Sequence, residues 1–346
     1  MPTADPDVAD AIGRARRGLA ALSDVAGGVV VACSGGADSV ALLGIVAKAV
    51  RDRGRGRGRT VTAVHVDHGL RPESAGEAAP VAAAAKTLGV AFVPRTLSLD
   101  TGPGLAARAR QARYEALWSV AADVGARILA LGHTATDQAE TVLLHLCRGA
   151  GLSGLAGMAP WGPAIDRADH WVWRPLLDFD RATTRAMCRA QRLAFVDDPT
   201  NDDATLPRTR IRHEVLPQLR AIREGVDLAV ARAARNVADA DAAIEVMAAR
   251  ELTARRRGAD GVTSRYATNG WSDVPIAIRR RMIQRICLDA GVPVDGLSMR
   301  TLVSIDDAVC RSGAQHVWDL HPRVRLCHAD TMLWAQPSPH GPPRNH

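Results

Sequence analysis

The sequence predicts an α/β protein, a doubly wound parallel sheet followed by a smaller, mainly helical and basic C-terminal domain. Three observations carry that expectation. Short apolar runs rich in Val, Ile and Ala alternate with longer stretches whose apolar residues recur at helical spacing, from Val29 to about Cys147. The first apolar run is interrupted by Ser34-Gly35-Gly36-Ala37-Asp38-Ser39 before apolar character resumes. Beyond about Gly149 the alternation stops, and arginine-bearing helical stretches take over.

In chain order, Val29–Cys33 reads as a buried strand and Asp38–Val50 as the helix after it. A membrane span is excluded here, because the run is far too short and Asp38 would lie inside it. Residues 51–60, arginine and glycine in alternation, form a loop. "TVTAVHVDHGL" is a second strand ending at His65–His68, followed by a helix over Ser74–Leu88. A strand over Val90–Leu97, a long helix over Leu105–Val124, the strand "RILALGH" and the helix opened by "DQAETVLLHLC" complete the alternation. Ligands of such sheets sit at the carboxyl edge, where Ser34–Ser39, His65–Leu70 and Gly132–Asp137 all fall.

Residues 149–179, rich in Gly, Pro and Trp, read as irregular surface elements. Arg181–Arg192 and Arg208–Arg220 read as helices around "FVDDPTNDDATLP". The long amphipathic stretch Val226–Arg256 leads to a second domain that contains "IAIRRRMIQRICLDAG". The expected division is a catalytic domain over 1–222 and a basic domain over 223–346, with a disordered tail.

The six-residue interruption offers more than a turn requires. One or two permissive residues make a turn; here two glycines, two hydroxyls and a carboxylate stand together. Gly35 and Gly36 let the backbone approach an anion, with the N–H groups at the helix start pointing at it. Ser34 and Ser39 can add hydroxyl donors. Asp38 would repel a bare phosphate, which implies Mg²⁺ between its carboxylate and phosphate oxygens. The expected ligand is a nucleotide with metal. A Walker loop is excluded, since the only lysines, Lys48 and Lys86, do not follow glycine. The dinucleotide Gly-x-Gly-x-x-Gly is absent as well.

"GHTATDQAET" is the second strong signal. It sets His133 at a strand end, and Asp137 and Glu140 one helical turn apart on one face, where two carboxylates can bind Mg²⁺ or an ammonium ion. Helix capping by Thr134, Thr136 or Asp137 would explain one of these residues, but not Glu140.

Composition narrows the partners. The 346 residues carry a net charge of +7 from 44 basic and 37 acidic side chains, which suits a polyanion such as RNA. Aromatics make up only 3%, too few for a base-stacking platform to be the main binding device. The cysteines, at 33, 147, 188, 287, 310 and 327, lie at no metal-ligand or redox spacing. Reduced thiols and a cytoplasmic location are expected.

The ordered motifs SGGADS, HVDHGLRPES, ARARQARY, LGHTATDQAET, CRGAGLSGLAGM, RPLL and DDPTND resemble those of the bacterial tRNA(Ile)-lysidine synthetases, in their short form. The first is similar to the PP-loop of the N-type ATP pyrophosphatases, which holds pyrophosphate as the leaving group. The likeness spans residues 29–220 and fades over the C-terminal third. It implies an adenine nucleotide alpha hydrolase-like fold and a two-step reaction. ATP adenylates the C2 oxygen of the wobble cytidine in tRNA(Ile) with a CAU anticodon, and the ε-amine of L-lysine then displaces AMP.

Carried over residue by residue, the resemblance assigns Ser34, Gly35, Gly36, Ala37, Asp38 and Ser39 to ATP, with Asp38 also on Mg²⁺. His65 and its neighbours receive adenine, and Gly132 and His133 complete the nucleotide site. Arg110, Arg113 and Tyr114 match a basic helix near the phosphates, although Arg110 and Arg113 would also suit a solvated helix face. Asp137 is expected to take the proton of the lysine amine and Glu140 to orient it. Thr136 stands where Asp is usual in the family. Arg208, Arg210 and Arg212 either clamp phosphate or decorate a solvated helix start. Arg279, Arg280, Arg281 and Arg285 are expected on tRNA phosphates; their alternative partners are internal carboxylates. His145, His213 and His316 are expected to have no site role.

Rival classes fit less well. A tRNA-thiolating enzyme of the same superfamily would need paired cysteines, and an amidotransferase an ammonia-generating domain. A non-enzymatic ATP-binding regulator would not account for Asp137 with Glu140. Oligomeric state is left open.

Overall fold

The computed structural model describes residues 5–22, 25, 27–51, 59–67, 78–98, 100, 102, 104–164, 167–196, 207–260, 263–293, 296–311 and 315–338. Most of the Arg/Gly loop, the HGLRPES segment after Asp67, the DDPTND segment and the C-terminal tail lie outside the described residues. The chain divides into two compact units, 1–237 and 238–346. The division falls within a helix, Val226–Arg255, that starts just after the expected boundary at 222/223.

The first unit is the doubly wound sheet. Strands β1 (Gly28–Ala32), β2 (Val61–Asp67), β3 (Ala91–Thr96) and β4 (Ala126–Ala130) are parallel, with β1 between β2 and β4. Helices α1 (Pro6–Ala21), α2 (Ala37–Arg51), α3 (Ala78–Leu88), α4 (Leu105–Asp123) and α5 (Ala135–Cys147) surround and extend it. Successive strand residues face opposite sides. Val29, Val31, Ile128 and Ala130 pack with Leu19, Leu42 and Ile45 in one core cluster. Val30, Val64 and Leu129 pack with Leu117, Trp118 and Val120 of α4 in another. Burial on both faces is why these strands read as unbroken apolar runs rather than alternating ones.

Residues 149–179 depart from the irregular surface expected of them. After the short α6 (Leu152–Leu155), β5 (Trp161–Pro163) and β6 (Trp171–Trp173) join the sheet, β6 parallel to β4 and β5 antiparallel at the edge. Trp161 stacks on Trp173 at 4.9 Å between ring centroids. Strands of three residues are too short to show any period, so ring stacking and burial define them instead. Helix α7 (Arg181–Ala190) follows. Pro207–Arg210 (α8) then runs through a π-helical turn, Ile211–Val215, into α9 (Leu216–Ile222). Pro217 gives that turn no N–H, and the wider turn follows.

In the second unit, the end of α10 (Val226–Arg255) and α11 (Ile276–Asp289) are the expected helices, and α12 (Met299–Cys310) joins them. They share the unit with a five-stranded antiparallel sheet that the sequence does not announce. Strands β7 (Arg256–Asp260), β8 (Thr263–Ala267), β9 (His316–His321), β10 (Val324–Ala329) and β11 (Met332–Pro337) lie in the order β7-β8-β11-β10-β9. The β10–β11 turn is Asp330-Thr331, with φ of 47° and 61°. Both residues adopt the left-handed conformation without the Asn-Gly or Asp-Gly pair that marks such turns in a sequence.

The α11 arginines take their alternative partners. Asp306, 1% exposed, accepts from Arg279 Nε at 2.7 Å and Nη2 at 2.9 Å, and from Trp271 Nε1 at 3.1 Å. Arg281 pairs with Asp241 and Glu245, and Arg285 with Glu245. Arg279 and Arg281, 14% and 16% exposed, therefore serve the unit's own packing, which corrects the expectation of tRNA-facing charge for those two; Arg285 stays 41% exposed beside Glu245. Replacing Arg279 by Ala should destabilise the unit by about 2–3 kcal/mol. Asp306 would lose its charge partner and keep the indole N–H. Thermal denaturation checks this. An unchanged midpoint with weakened tRNA binding would favour the phosphate role.

Candidate active site

The carboxyl ends of β1, β2 and β4 meet at one crevice of about 590 Å³. β1 delivers Cys33 and Ser34 to its floor. Gly35, at φ 95°, turns the chain where a side chain would be strained. The helical bonds of α2 begin only with Val40 N donating to Gly36 O at 3.0 Å, so earlier N–H groups stand outside the ladder. Ser39 fastens the loop: its Oγ donates to Gly36 O at 2.9 Å and accepts from Ser34 N at 3.2 Å. From beneath, Cys33 and Cys188 Sγ each donate at 3.3 Å, to Ser39 O and Ala37 O. Gly132 ends the adjacent strand. A Cβ there would lie 3.2 Å from the Asp38 backbone in the first turn of α2, tighter than side chains usually pack, so glycine suits this close approach of strand end and helix start.

Asp38 Oδ1 accepts from Thr184 Oγ1, and its Oδ2 lies 3.6 Å from Arg181 Nε. Burial raises its pKa by more than Thr184 and Arg181 lower it. Asp137 Oδ2 accepts from Thr134 N at 2.9 Å and Thr134 Oγ1 at 3.0 Å, the carboxylate half of a capping box. Its Oδ1 lies 3.4 Å from both Arg181 Nη2 and Arg208 Nη2. Burial pushes this carboxyl up. Arg181, the Thr134 N–H, His133 and Arg208 together outweigh burial and hold it below its usual value.

The crevice gathers most of the residues expected there. Ser34, Gly36, Asp38 and Ser39 line it with His65, Arg113, Gly132, His133 and Asp137. Gly35 and Ala37 belong to the same loop. His65 Nδ1 bonds to Cys33 O at 2.9 Å, while its Nε2 is buried without a partner. His133 Nδ1 is buried and unpartnered as well. Burial lowers the pKa of the Arg113 guanidinium. Arg110 instead lies exposed, with its guanidinium 5.2 Å above the Tyr114 ring.

Glu140 departs from its expected place. Its carboxylate is fully buried, accepting from Arg208 Nε at 2.8 Å and from Arg212 Nε at 2.6 Å and Nη2 at 3.0 Å. It does not line the crevice; two guanidinium groups occupy the positions an incoming ammonium would need. Thr136 also faces away, donating to Asp227 Oδ2 at 2.8 Å, where Arg220 forms a two-pronged pair. Arg210 pairs with Glu214 on the surface. His145 Nδ1 bonds to Gly154 O at 2.6 Å, and His316 stacks on Trp318.

Three crevice contributors were not expected from the sequence: Arg181 and Thr184 of α7, and His213 of the π-helical turn, which was expected to have no site role; Arg212, expected on phosphate or at a solvated helix start, lines the crevice as well. A signal for Arg181 was present in "RPLLDFDRATT". Asp180 there caps α7 by accepting from Thr183 N at 2.8 Å, so Arg181 is its first residue.

Mg²⁺ fits this donor set on one condition. Among the described residues, no three His, Cys, Asp or Glu side chains converge to hold a metal. Asp38 and Asp137 supply two carboxylates, which suits Mg²⁺ shared with the oxygens of a bound polyphosphate and its own waters.

Residues 14–219 match the PP-loop domain family. The tRNA(Ile)-lysidine synthase of Salinispora arenicola is 42% identical, over 89% of this chain and 90% of that one. The tRNA(Ile)-lysidine synthase of Streptomyces coelicolor is 41% identical, over 80% and 76%. The chain belongs to the tRNA(Ile)-lysidine synthase family. The U34-tRNA thiolase NcsA from Methanococcus maripaludis, a solved structure with a 4Fe–4S cluster, shares the fold. Its TM-score is 0.53 at 15% identity, over 67% of this chain and 79% of that one. Similarity to the lysidine synthases runs through both units, reaching 92% of this chain for Salinispora tropica, beyond where the motifs fade. No helix among the described residues is long and apolar enough to cross a membrane.

In this lysidine synthase family member His133 has a pH consequence. Burial lowers its pKa from 6.5 to about 4. The unfolded chain binds the proton near pH 6.5 and the folded one only near pH 4. The stability His133 contributes is therefore complete above pH 6.5 and lost as pH falls towards 4. His133→Asn should flatten that part of the stability profile, measured by denaturant unfolding between pH 7 and 4. Parallel profiles for the two proteins would contradict it.

Proposed function

We infer that the chain is an ATP-dependent carbon–nitrogen ligase. It joins L-lysine to C2 of the wobble cytidine of tRNA(Ile) with a CAU anticodon, forming lysidine and releasing AMP and diphosphate. The observation that carries this reading is a PP-loop opening on a crevice with paired carboxylates, in a chain about 40% identical to named lysidine synthases.

In this reading the triphosphate lies on Ser34–Ser39, where the N–H groups and the α2 dipole favour anionic charge. His65 and His133 each offer a buried ring nitrogen with no protein partner, suited to the nucleoside. Arg113 faces the phosphates, and Asp38 is the carboxylate for Mg²⁺, which would neutralise charge on the departing diphosphate. Asp137 would share that Mg²⁺ with Asp38 in the first step and hold the lysine ammonium in the second, once diphosphate has left with the metal. Its depressed pKa suits it to holding a cation in place more than to retaining a proton. Residues 1–222 carry the chemistry and 223–346 hold the tRNA, in the cytoplasm where tRNA and ATP are supplied. In single turnover, diphosphate release should need tRNA but not lysine, and AMP release should need both. Diphosphate release indifferent to tRNA would overturn the assignment.

A further inference from the structure

We propose that Arg181 is an exchangeable counter-ion, which occupies the metal's place between Asp38 and Asp137 until a metal–polyphosphate arrives. The proposal rests on the reading that Mg²⁺ and ATP share this crevice. Arg181 Nε lies 3.6 Å from Asp38 Oδ2, and its Nη2 lies 3.4 Å from Asp137 Oδ1. One guanidinium thus bridges the two carboxylates that could face a cation. Both contacts are long for hydrogen bonds, and the buried Nε makes none. The docked guanidinium nearby looks different: Arg212 Nε meets Glu140 Oε1 at 2.6 Å. Arg181 is held by charge, with donors to spare.

Two consequences follow from that placement. A bare divalent cation entering the crevice must compete with a positive charge already there and finds, among the described residues, no third His, Cys, Asp or Glu side chain to hold it. A cation carrying polyphosphate brings anionic oxygens that can take the planar guanidinium fork, so Arg181 can leave Asp38 for phosphate. α7 stays anchored meanwhile by its Asp180 cap. Arg181 therefore acts as a positioning residue that couples metal binding to nucleotide binding.

The test uses the full chain and Mn²⁺ as the probe, followed by electron paramagnetic resonance with and without ATP. Unaltered protein should bind Mn²⁺ weakly alone and tightly with ATP. Arg181→Gln should bind Mn²⁺ without nucleotide on the order of tenfold more tightly than unaltered protein. Arg181→Lys keeps the charge but loses the fork. It should exclude Mn²⁺ as the unaltered protein does, yet bind Mg–ATP several-fold more weakly in calorimetry. The proposal is overturned if Arg181→Gln gains no Mn²⁺ affinity while Mg–ATP still binds. It is equally overturned if Arg181→Lys binds Mg–ATP as well as Arg. Failure of the unaltered protein to bind Mg–ATP would instead remove the nucleotide reading, and this proposal with it.

Discussion

Asp38→Asn should lower tRNA-dependent diphosphate release by roughly 10²–10³-fold or more, while the protein melts at the same temperature or higher. The rate loss follows from removing the only loop carboxylate that would hold the Mg²⁺ neutralising charge on the departing diphosphate. The stability gain follows from the raised pKa of Asp38. Burial penalises its ionised form by more than Thr184 and Arg181 repay, so at neutral pH the charge works against folding. A neutral isostere keeps the Thr184 bond and removes that penalty. Enzyme assay and thermal melt on the same sample check both halves. A variant that adenylates normally would remove Asp38 from the chemistry.

The second large effect is expected at Glu140. Its carboxylate is the shared partner of Arg208 and Arg212 and has no exposure to water. Glu140→Ala would take the close carboxylate from both guanidinium groups, leaving them Asp137 Oδ1 at 3.4 and 3.8 Å, and open a cavity beside them, at a cost of about 3–5 kcal/mol. Because Arg212 also lines the crevice, adenylation and lysine transfer should fall together. Denaturant unfolding and the two half-reactions, measured separately, distinguish this from a role in binding lysine. A rise in the lysine requirement alone, with stability and adenylation intact, would put the ammonium at Glu140.

These two carboxylates also show where sequence reading stops. Ser34–Ser39 and Gly132 were legible because close backbone approach to an anion demands glycines and a helix start in one place. Asp137 and Glu140 share a helix face, as their spacing requires, yet that spacing says nothing about what lies opposite. Their partners Arg181, Arg208 and Arg212 come from segments 44 to 72 residues further along the chain. The arginines of α11 mislead for the same reason. A charge run looks alike whether it meets phosphate or, as with Arg279 and Asp306, a carboxylate of its own unit. Strands β5 and β6 escaped notice because their definition lies in Trp161 stacked on Trp173, a contact between elements.

The central claim is that lysine becomes bonded to one cytidine of one tRNA at the expense of ATP. It is tested most directly by nucleoside mass spectrometry of tRNA(Ile) with a CAU anticodon, incubated with the protein, ATP, Mg²⁺ and isotope-labelled lysine. The account predicts one lysidine per tRNA, carrying the lysine label and absent when either ATP or lysine is withheld. Cytidine left unmodified by a protein that binds both ATP and the tRNA, or a thiolated nucleoside in its place, would contradict it.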